Sequence, residues 1–261
     1  MKLLTLNCHS WQEENQMEKI KTLANTIQEK SYDVIALQEV SQLEDGPIVY
    51  DQLKKNNYAL VLLDELKQLG VTDYHLVWGF AHMGYPGYEE GLAILSKHPI
   101  TNKEIFFVTE GRNTWKARSI VCATIQYNER LLSFYSCHLG WWHDEEEPCK
   151  FQMDSLLQKL DRSHPYFLMG DFNNSADIRD EGYDYLLSNG LYDTYKLAEE
   201  KDSGITVKGK IAGWDENKQD LRIDLILSSD EVKVLSSKVI FNGEYKPVVS
   251  DHYGVETEIS M

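Results

Sequence analysis

Two packed β-sheets with helices on their outer faces are the architecture that this 261-residue sequence predicts. Three observations point to it. Apolar runs of strand length outnumber helical stretches, the two kinds do not alternate as a doubly wound single sheet requires, and several runs end directly on a polar residue. With 42% hydrophobic and 11% aromatic residues, the chain has the side chains for a sizeable core. No repeat, low-complexity tract or Pro/Gly/Ser-rich linker divides it, so residues 1–261 read as one domain.

Residues 2–6 form a buried strand that stops at Asn7. Residues 14–30 place Met17, Ile20, Leu23, Ala24 and Ile27 at helical spacing. Residues 33–37 are a second buried strand, running into Gln38 and Glu39. Strands follow at 91–95, 105–108, 119–125 and 131–137, separated by polar turns. Residues 151–160 read as a helix, and 166–169 as a strand leading into Gly170 and Asp171. A short helix at 183–189 is closed by Gly190, and strands at 223–227 and 253–258 complete the series. Asn7, Glu39, His138 and Asp171 thus each follow a buried strand, where a rigid scaffold can bring them into one cleft.

Charge restricts the partners. Lys and Arg number 26 against 42 Asp and Glu, a net charge of −16, and no basic cluster stands out. A phosphate polymer is normally held by clustered cations, so nucleic acid is not the expected partner. Cys8, Cys122, Cys137 and Cys149 have no metal-ligand spacing and read as reduced thiols, three of them in or beside apolar runs. No segment reads as a signal peptide or approaches the roughly 18 apolar residues of a membrane span. The expected location is the cytoplasm, without membrane association.

Gly170-Asp171-Phe172-Asn173-Asn174 is the first motif with chemical content. An Asx-rich turn accounts for such a run about as well as a catalytic role does. In the catalytic reading Asp171 is a general base or orients a water, while Asn173 donates to a phosphoryl oxygen or ligates a metal. Near the C-terminus, Asp251-His252 leads into the last strand, and a buried imidazole needs a carboxylate to orient it. Asp224, a lone carboxylate inside an apolar run, can be that partner. An ion pair of Asp224 with neighbouring Arg222 competes with that reading. Glu39 and Asn7 are hard oxygen donors of the kind magnesium takes, with His9 and Gln38 flanking them. Zinc spacing, a Gly-x-Ser-x-Gly elbow and Walker or Rossmann glycine patterns are all missing.

Taken in order, Leu6-Asn7, Leu37-Gln38-Glu39, Ser136-Cys137-His138-Leu139, Gly170-Asp171-Phe172-Asn173, Arg222-Ile223-Asp224 and Ser250-Asp251-His252 resemble the endonuclease/exonuclease/phosphatase superfamily. The resemblance spans Asn7 to His252 and rests on order and spacing, since no single motif is specific. It implies a DNase I-like α/β (α+β) fold, a four-layer sandwich of two mixed sheets flanked by helices. It also implies magnesium, for which manganese can substitute, at Glu39 and Asn7, with Asp251 either a ligand or an orienting group. Asp171 is implied to activate water, Asn173 to assist it, and His252 with Asp224 to stabilise phosphoryl charge. His138 is implied as a second imidazole on the phosphate, with Glu90 as its carboxylate partner, and Arg118 as a phosphate contact.

His9 stands where the abasic-endonuclease branch carries an aspartate, and His138 where that branch carries a tyrosine; both point away from DNA repair. The segments at residues 7–14 and 138–142 look like a Firmicutes subgroup that includes maltose phosphate phosphatases. Trp141 and Trp142 are then expected to offer a platform for a sugar, although core packing and loop anchoring explain many tryptophans equally well. The resulting expectation is a magnesium-dependent phosphatase acting on a small phosphorylated sugar or similar metabolite. Two alternatives stay open: a phosphodiesterase of nuclease or sphingomyelinase type, and a non-catalytic regulator on the same fold.

Overall fold

Side-chain alternation along the buried strands determines the layering. In strand β1 (Lys2–Asn7), Leu4 and Leu6 join one core cluster and Leu3 another. The structure, a computed structural model, describes residues 1–211, 213–214 and 217–261. In chain order β1 is followed by helix α1 (Gln16–Lys30), β2 (Val34–Gln38), β3 (Gln42–Leu43), β4 (Ile48–Tyr50) and β5 (Leu53–Lys54). Next come α2 (Tyr58–Gln68), β6 (His75–Met83), β7 (Tyr88–Ser96), β8 (Ile100–Phe107), β9 (Ser119–Tyr127) and β10 (Arg130–His138). Then follow α3 (Cys149–Lys159), β11 (Tyr166–Asp171), α4 (Gly182–Ser188), β12 (Tyr192–Asp193) and α5 (Thr194–Leu197). The described chain closes with β13 (Glu200–Lys201), β14 (Asp224–Ser228), β15 (Lys233–Ile240) and β16 (Gly254–Ser260).

One mixed sheet runs β13-β15-β16-β1-β2-β7-β3, with β6 also on β7; the second runs β12-β14-β11-β10-β9-β8. A small β4-β5 ribbon stands apart from both. Leu4, Leu6, Ile35 and Leu37 face α1 and α2, where Ile20, Leu23, Ile27, Leu62 and Leu66 meet them. Leu3, Val34 and Ala36 point the other way and pack on Phe134, Phe167, Met169 and Ile226 of the second sheet. Cys137, Leu168 and Leu225, on the far face of that sheet, cover Met153, Leu156 and Leu186 of α3 and α4. The order is helices, sheet, sheet, helices, which is the four-layer DNase I-like sandwich expected.

The same alternation carries polar residues into the seam between the sheets. Asn7 continues the face of Leu3, Gln38 that of Ala36, His138 that of Phe134, Asp171 that of Phe167 and Met169, and Asp224 that of Ile226. β1 and β2 are parallel, with Asn7 opposite Gln38. β10 and β11 are also parallel, with His138 opposite Asp171, and Asp224 lies opposite Asp171 across antiparallel β14. All five groups therefore collect at one end of the seam. Gly170 makes this register possible: a Cβ there would sit 1.9 Å from the Cys137 carbonyl oxygen, at a φ of +148°.

Some elements were not legible. α2 contains the unbroken apolar run from Ala59 to Leu63, which masks a helical period. β6 and β15 are also absent from the sequence reading, and β8 begins five residues earlier than residue 105. As the edge of the second sheet, β8 exposes Thr101, Asn102, Lys103 and Glu104 and so reads as a polar turn. Gly190 follows α4 at a φ of +89°, the expected closing position. All four cysteines are free and buried, and no helix among the described residues is long and apolar enough to cross a membrane.

Candidate active site

His252 lies between two carboxylates at the end of the seam. Its Nδ1 hydrogen-bonds Asp224 Oδ2 at 2.9 Å, and its Nε2 stands 3.7 Å from Asp171 Oδ2. Arg222 does not compete for Asp224; it precedes β14 and so lies outside that strand's alternation, and it pairs with Asp193 at 2.7 Å. Thr206 Oγ1 accepts the backbone N–H groups of Ile223 and Asp224, which fixes the start of β14. Burial alone would strip the His252 ring of its proton, but the charges of Asp224 and Asp171 overcome this and hold its pKa up at about 10. Burial likewise lifts Asp171 to about 7, against the pull of His252. An imidazolium beside a carboxylate of near-neutral pKa is suited to proton transfer at neutral pH.

Asp171 Oδ2 accepts from Asn7 Nδ2 at 3.2 Å, and Oδ1 from the Asn173 backbone N–H at 2.9 Å. His138 Nε2 approaches the same carboxylate at 3.6 Å. Burial, with Arg118 and two further imidazoles nearby, keeps His138 well below the usual histidine pKa, hence neutral. The expected pairing of Glu90 with His138 does not form. Glu90 instead meets His82, at 3.3 Å from its Nε2, while His82 Nδ1 donates to the Ala117 carbonyl at 3.0 Å. A bulge in β6 between Phe80 and His82 breaks the alternation and turns His82 toward Glu90. Burial drives Glu90 up to about 8 and His82 down to about 4. Arg118 is 3% exposed; its Nη1 is tied to the carbonyls of Trp115 and Ala117, and its buried Nε has no partner among the described residues.

On the other wall, Asn7 Nδ2 donates to Glu39 Oε1 at 2.9 Å. Glu39 leaves β2 in the left-handed region, at a φ of +53°. Burial and the neighbouring Asp251 push its pKa up, against the Asn7 bond and the nearby imidazoles. A desolvated carboxylate near a second carboxylate offers the hard oxygen donors that magnesium takes, whereas Asn7 turns Nδ2 to Glu39 and accepts the His9 N–H at Oδ1 at 3.1 Å, so it would ligate only with its amide turned. Two groups of three acidic or imidazole side chains also stand close enough to share an ion: His9-Glu13-Asp251 and Asp171-Asp224-His252. In the second, an ion would have to replace the proton that already links His252 to Asp224, so we assign that group to proton holding. In the first, His9 hydrogen-bonds Glu13 at 2.7 Å and stands 3.8 Å from Asp251.

These groups open into one cleft of about 480 Å³. His9, Glu39, Glu90, Arg118, His138, Trp141, Asp171, Asn173 and His252 line it, as do Gln12, His82, Tyr85 and Trp115, which the sequence did not single out. Trp142 is not among the lining residues; it packs beside Tyr185 on the outer helices. Trp115 takes its place, its ring centre 6.2 Å from that of Trp141. A roomier depression of about 710 Å³ around Tyr74 and Ile100 contains no comparable chemistry.

A family model described as the endonuclease/exonuclease/phosphatase family matches residues 4–252. No curated protein matches the sequence. Among solved structures, an endonuclease/exonuclease/phosphatase family protein from Leptotrichia buccalis C-1013-b is 44% identical over 100% of both chains, with a TM-score of 0.93. A mannosyl-6-phosphatase from Bacteroides thetaiotaomicron VPI-5482 shares the fold at 18% identity and a TM-score of 0.67, again over 100% of both chains. So does a 3′ phosphatase from Neisseria bound to a product DNA hairpin, at 18% identity, 100% coverage of both chains and a TM-score of 0.66.

Proposed function

Since the chain belongs to the endonuclease/exonuclease/phosphatase family, whose members are phosphoester hydrolases, we propose that it is a magnesium-dependent phosphomonoesterase acting on a small phosphorylated sugar. One observation carries this reading. The proton-handling and anion-binding groups meet at the base of the cleft, while Trp115, Trp141 and Tyr85 line it and Arg118 is its only Lys or Arg among the described residues. Lys116, next in sequence to Trp115, is occupied by Asp144 at 2.7 Å and Glu146 at 2.9 Å. A polyphosphate backbone needs a cationic track, and among the described residues the lining of the cleft offers only Arg118. An aromatic wall suits the apolar face of a pyranose ring. Within the family we place the chain near the maltose phosphate phosphatases, on the residues quoted for that resemblance.

Asp171 takes a proton from the water that attacks phosphorus, and the bond from phosphorus to the sugar oxygen breaks as that oxygen takes a proton from solvent water. His252, kept protonated by Asp224, donates from Nε2 to a phosphoryl oxygen, and Arg118 Nε and Asn173 Nδ2 add further donors. Glu39 and Asn7, with Asp251 beside them, would hold a divalent ion, which when bound supplies Lewis-acid stabilisation of phosphoryl charge. Free, buried thiols accord with a reducing compartment, and we propose the cytoplasm.

The test is release of inorganic phosphate from a panel of phosphosugars by metal-stripped protein. We expect activity only after magnesium or manganese is restored, and a Glu39→Gln variant that needs at least about tenfold more metal. Activity that is indifferent to chelation, or dominant plasmid nicking or sphingomyelin cleavage, contradicts the proposal. Complete inactivity on phosphoesters with either metal favours the regulatory reading.

A further inference from the structure

Asn173 is held by three protein contacts, and their directions are fixed by chemistry. Its backbone N–H donates to Asp171 Oδ1, its Nδ2 donates to the Leu139 carbonyl at 2.9 Å, and its Oδ1 accepts from Trp214 Nε1 at 2.8 Å. An indole N–H can only donate and a backbone carbonyl can only accept. The two side-chain bonds therefore admit one orientation of the amide. Asn173 itself is 5% exposed and lines the cleft. Nδ2 carries two hydrogens, and among the described residues Leu139 is the acceptor for one of them. The second has no such protein partner.

The residue that imposes this orientation comes from another part of the chain. Trp214 is half-buried on a small cluster of Val207, Leu221 and Ile223, which anchors its ring. Its neighbour Gly213 lies so close to Trp141 that a Cβ there would sit 2.4 Å from the indole. A single short stretch thus seats the aromatic wall and sets the amide of Asn173.

We infer that Trp214 is a positioning residue: its indole N–H locks Asn173 so that an N–H, and not the carbonyl, faces the substrate phosphate. This rests on the reading of the cleft as a phosphatase site with Asn173 in contact with the phosphoryl group. It also narrows the role of Asn173 to donation toward phosphoryl oxygen. With Oδ1 engaged by Trp214, the amide is poorly placed to accept from the attacking water. Without the indole N–H, the amide keeps only the Leu139 bond and can rotate to present its oxygen to an anion, which repels it.

The test is a double-mutant cycle on phosphate release from glucose 6-phosphate, or from the phosphosugar that the wild-type protein turns over fastest, with magnesium. Trp214→Phe retains an aromatic ring on the apolar cluster and removes the N–H, together with part of the indole's bulk. The expected result is a fall in kcat of about tenfold, the order that one lost orienting bond produces, with KM little changed. In an Asn173→Ala background the same Trp214 substitution should change kcat hardly at all, because its target is gone. An equal fall in both backgrounds, or no fall in either, overturns the inference while leaving the phosphatase reading intact. A wild-type protein that releases no phosphate overturns both. Should Trp214→Phe lower the melting temperature, Trp214→His serves as the second arm, since it keeps a ring N–H on a smaller ring. Greater activity in the His variant than in the Phe variant supports the inference, and equal loss overturns it.

Discussion

Asp171→Asn lowers phosphate release by about 10²–10⁴-fold, the range a positioned general base contributes, while the protein stays folded. The substitution keeps the shape of the side chain and an oxygen to accept the Asn173 backbone N–H, but removes the proton acceptor. The fold tolerates the change because burial already disfavours the charged form of Asp171, whose pKa stands at about 7. A neutral isostere relieves that penalty, and His252 retains Asp224 as its partner. Thermal melts of the two proteins should coincide within a few degrees. A variant that is folded and retains more than about a tenth of wild-type activity removes Asp171 from the role of base.

Asp224→Asn is expected to have the second largest effect, a loss of about 10²–10³-fold, comparable to removing one preorganised donor at a developing oxyanion. Asp224 is the largest of the influences that raise the pKa of His252, working against burial. Its neutralisation lets burial prevail, so the ring surrenders its proton at lower pH. The pH profile gives an independent reading. In the wild-type protein the rate should rise as Asp171 deprotonates through about 7 and fall as His252 deprotonates near 10. The base works above its pKa and the imidazolium below its own, so the profile is a bell. In Asp224→Asn the alkaline limb moves down in pH, and the acid limb loses the upward push that the Asp224 charge gives Asp171. A uniform loss of rate with an unmoved alkaline limb assigns Asp224 a purely structural role.

How much of this was visible in the sequence depended on strand parity. Asp171, Asp224 and His138 are polar residues placed in step with apolar neighbours that face the seam, and the convergence of strand ends was readable for that reason. Where parity breaks, the reading failed. The bulge ahead of His82 hid its bond to Glu90, and the family resemblance supplied His138 in its stead. Trp141 and Trp142 are adjacent in sequence, but only the first lines the cleft, because direction along an irregular loop has no period to read. Trp115, 56% exposed, and Trp214 reach the site from loops joined to it only through tertiary contacts. The layers themselves were legible, apart from a helix whose apolar run was continuous and an edge strand whose polar face looked like a turn.

The proposed monoesterase activity rests on a cleft with one Arg and an aromatic wall. The most direct measurement is the ratio of kcat/KM for a phosphosugar to kcat/KM for the methyl diester of the same phosphate, with magnesium present. The cleft predicts preference for the monoester by at least about tenfold, because the second negative charge meets His252, Arg118 and the ion that Glu39 and Asn7 would hold. A ratio at or below one contradicts the account and identifies the cleft as a diesterase site.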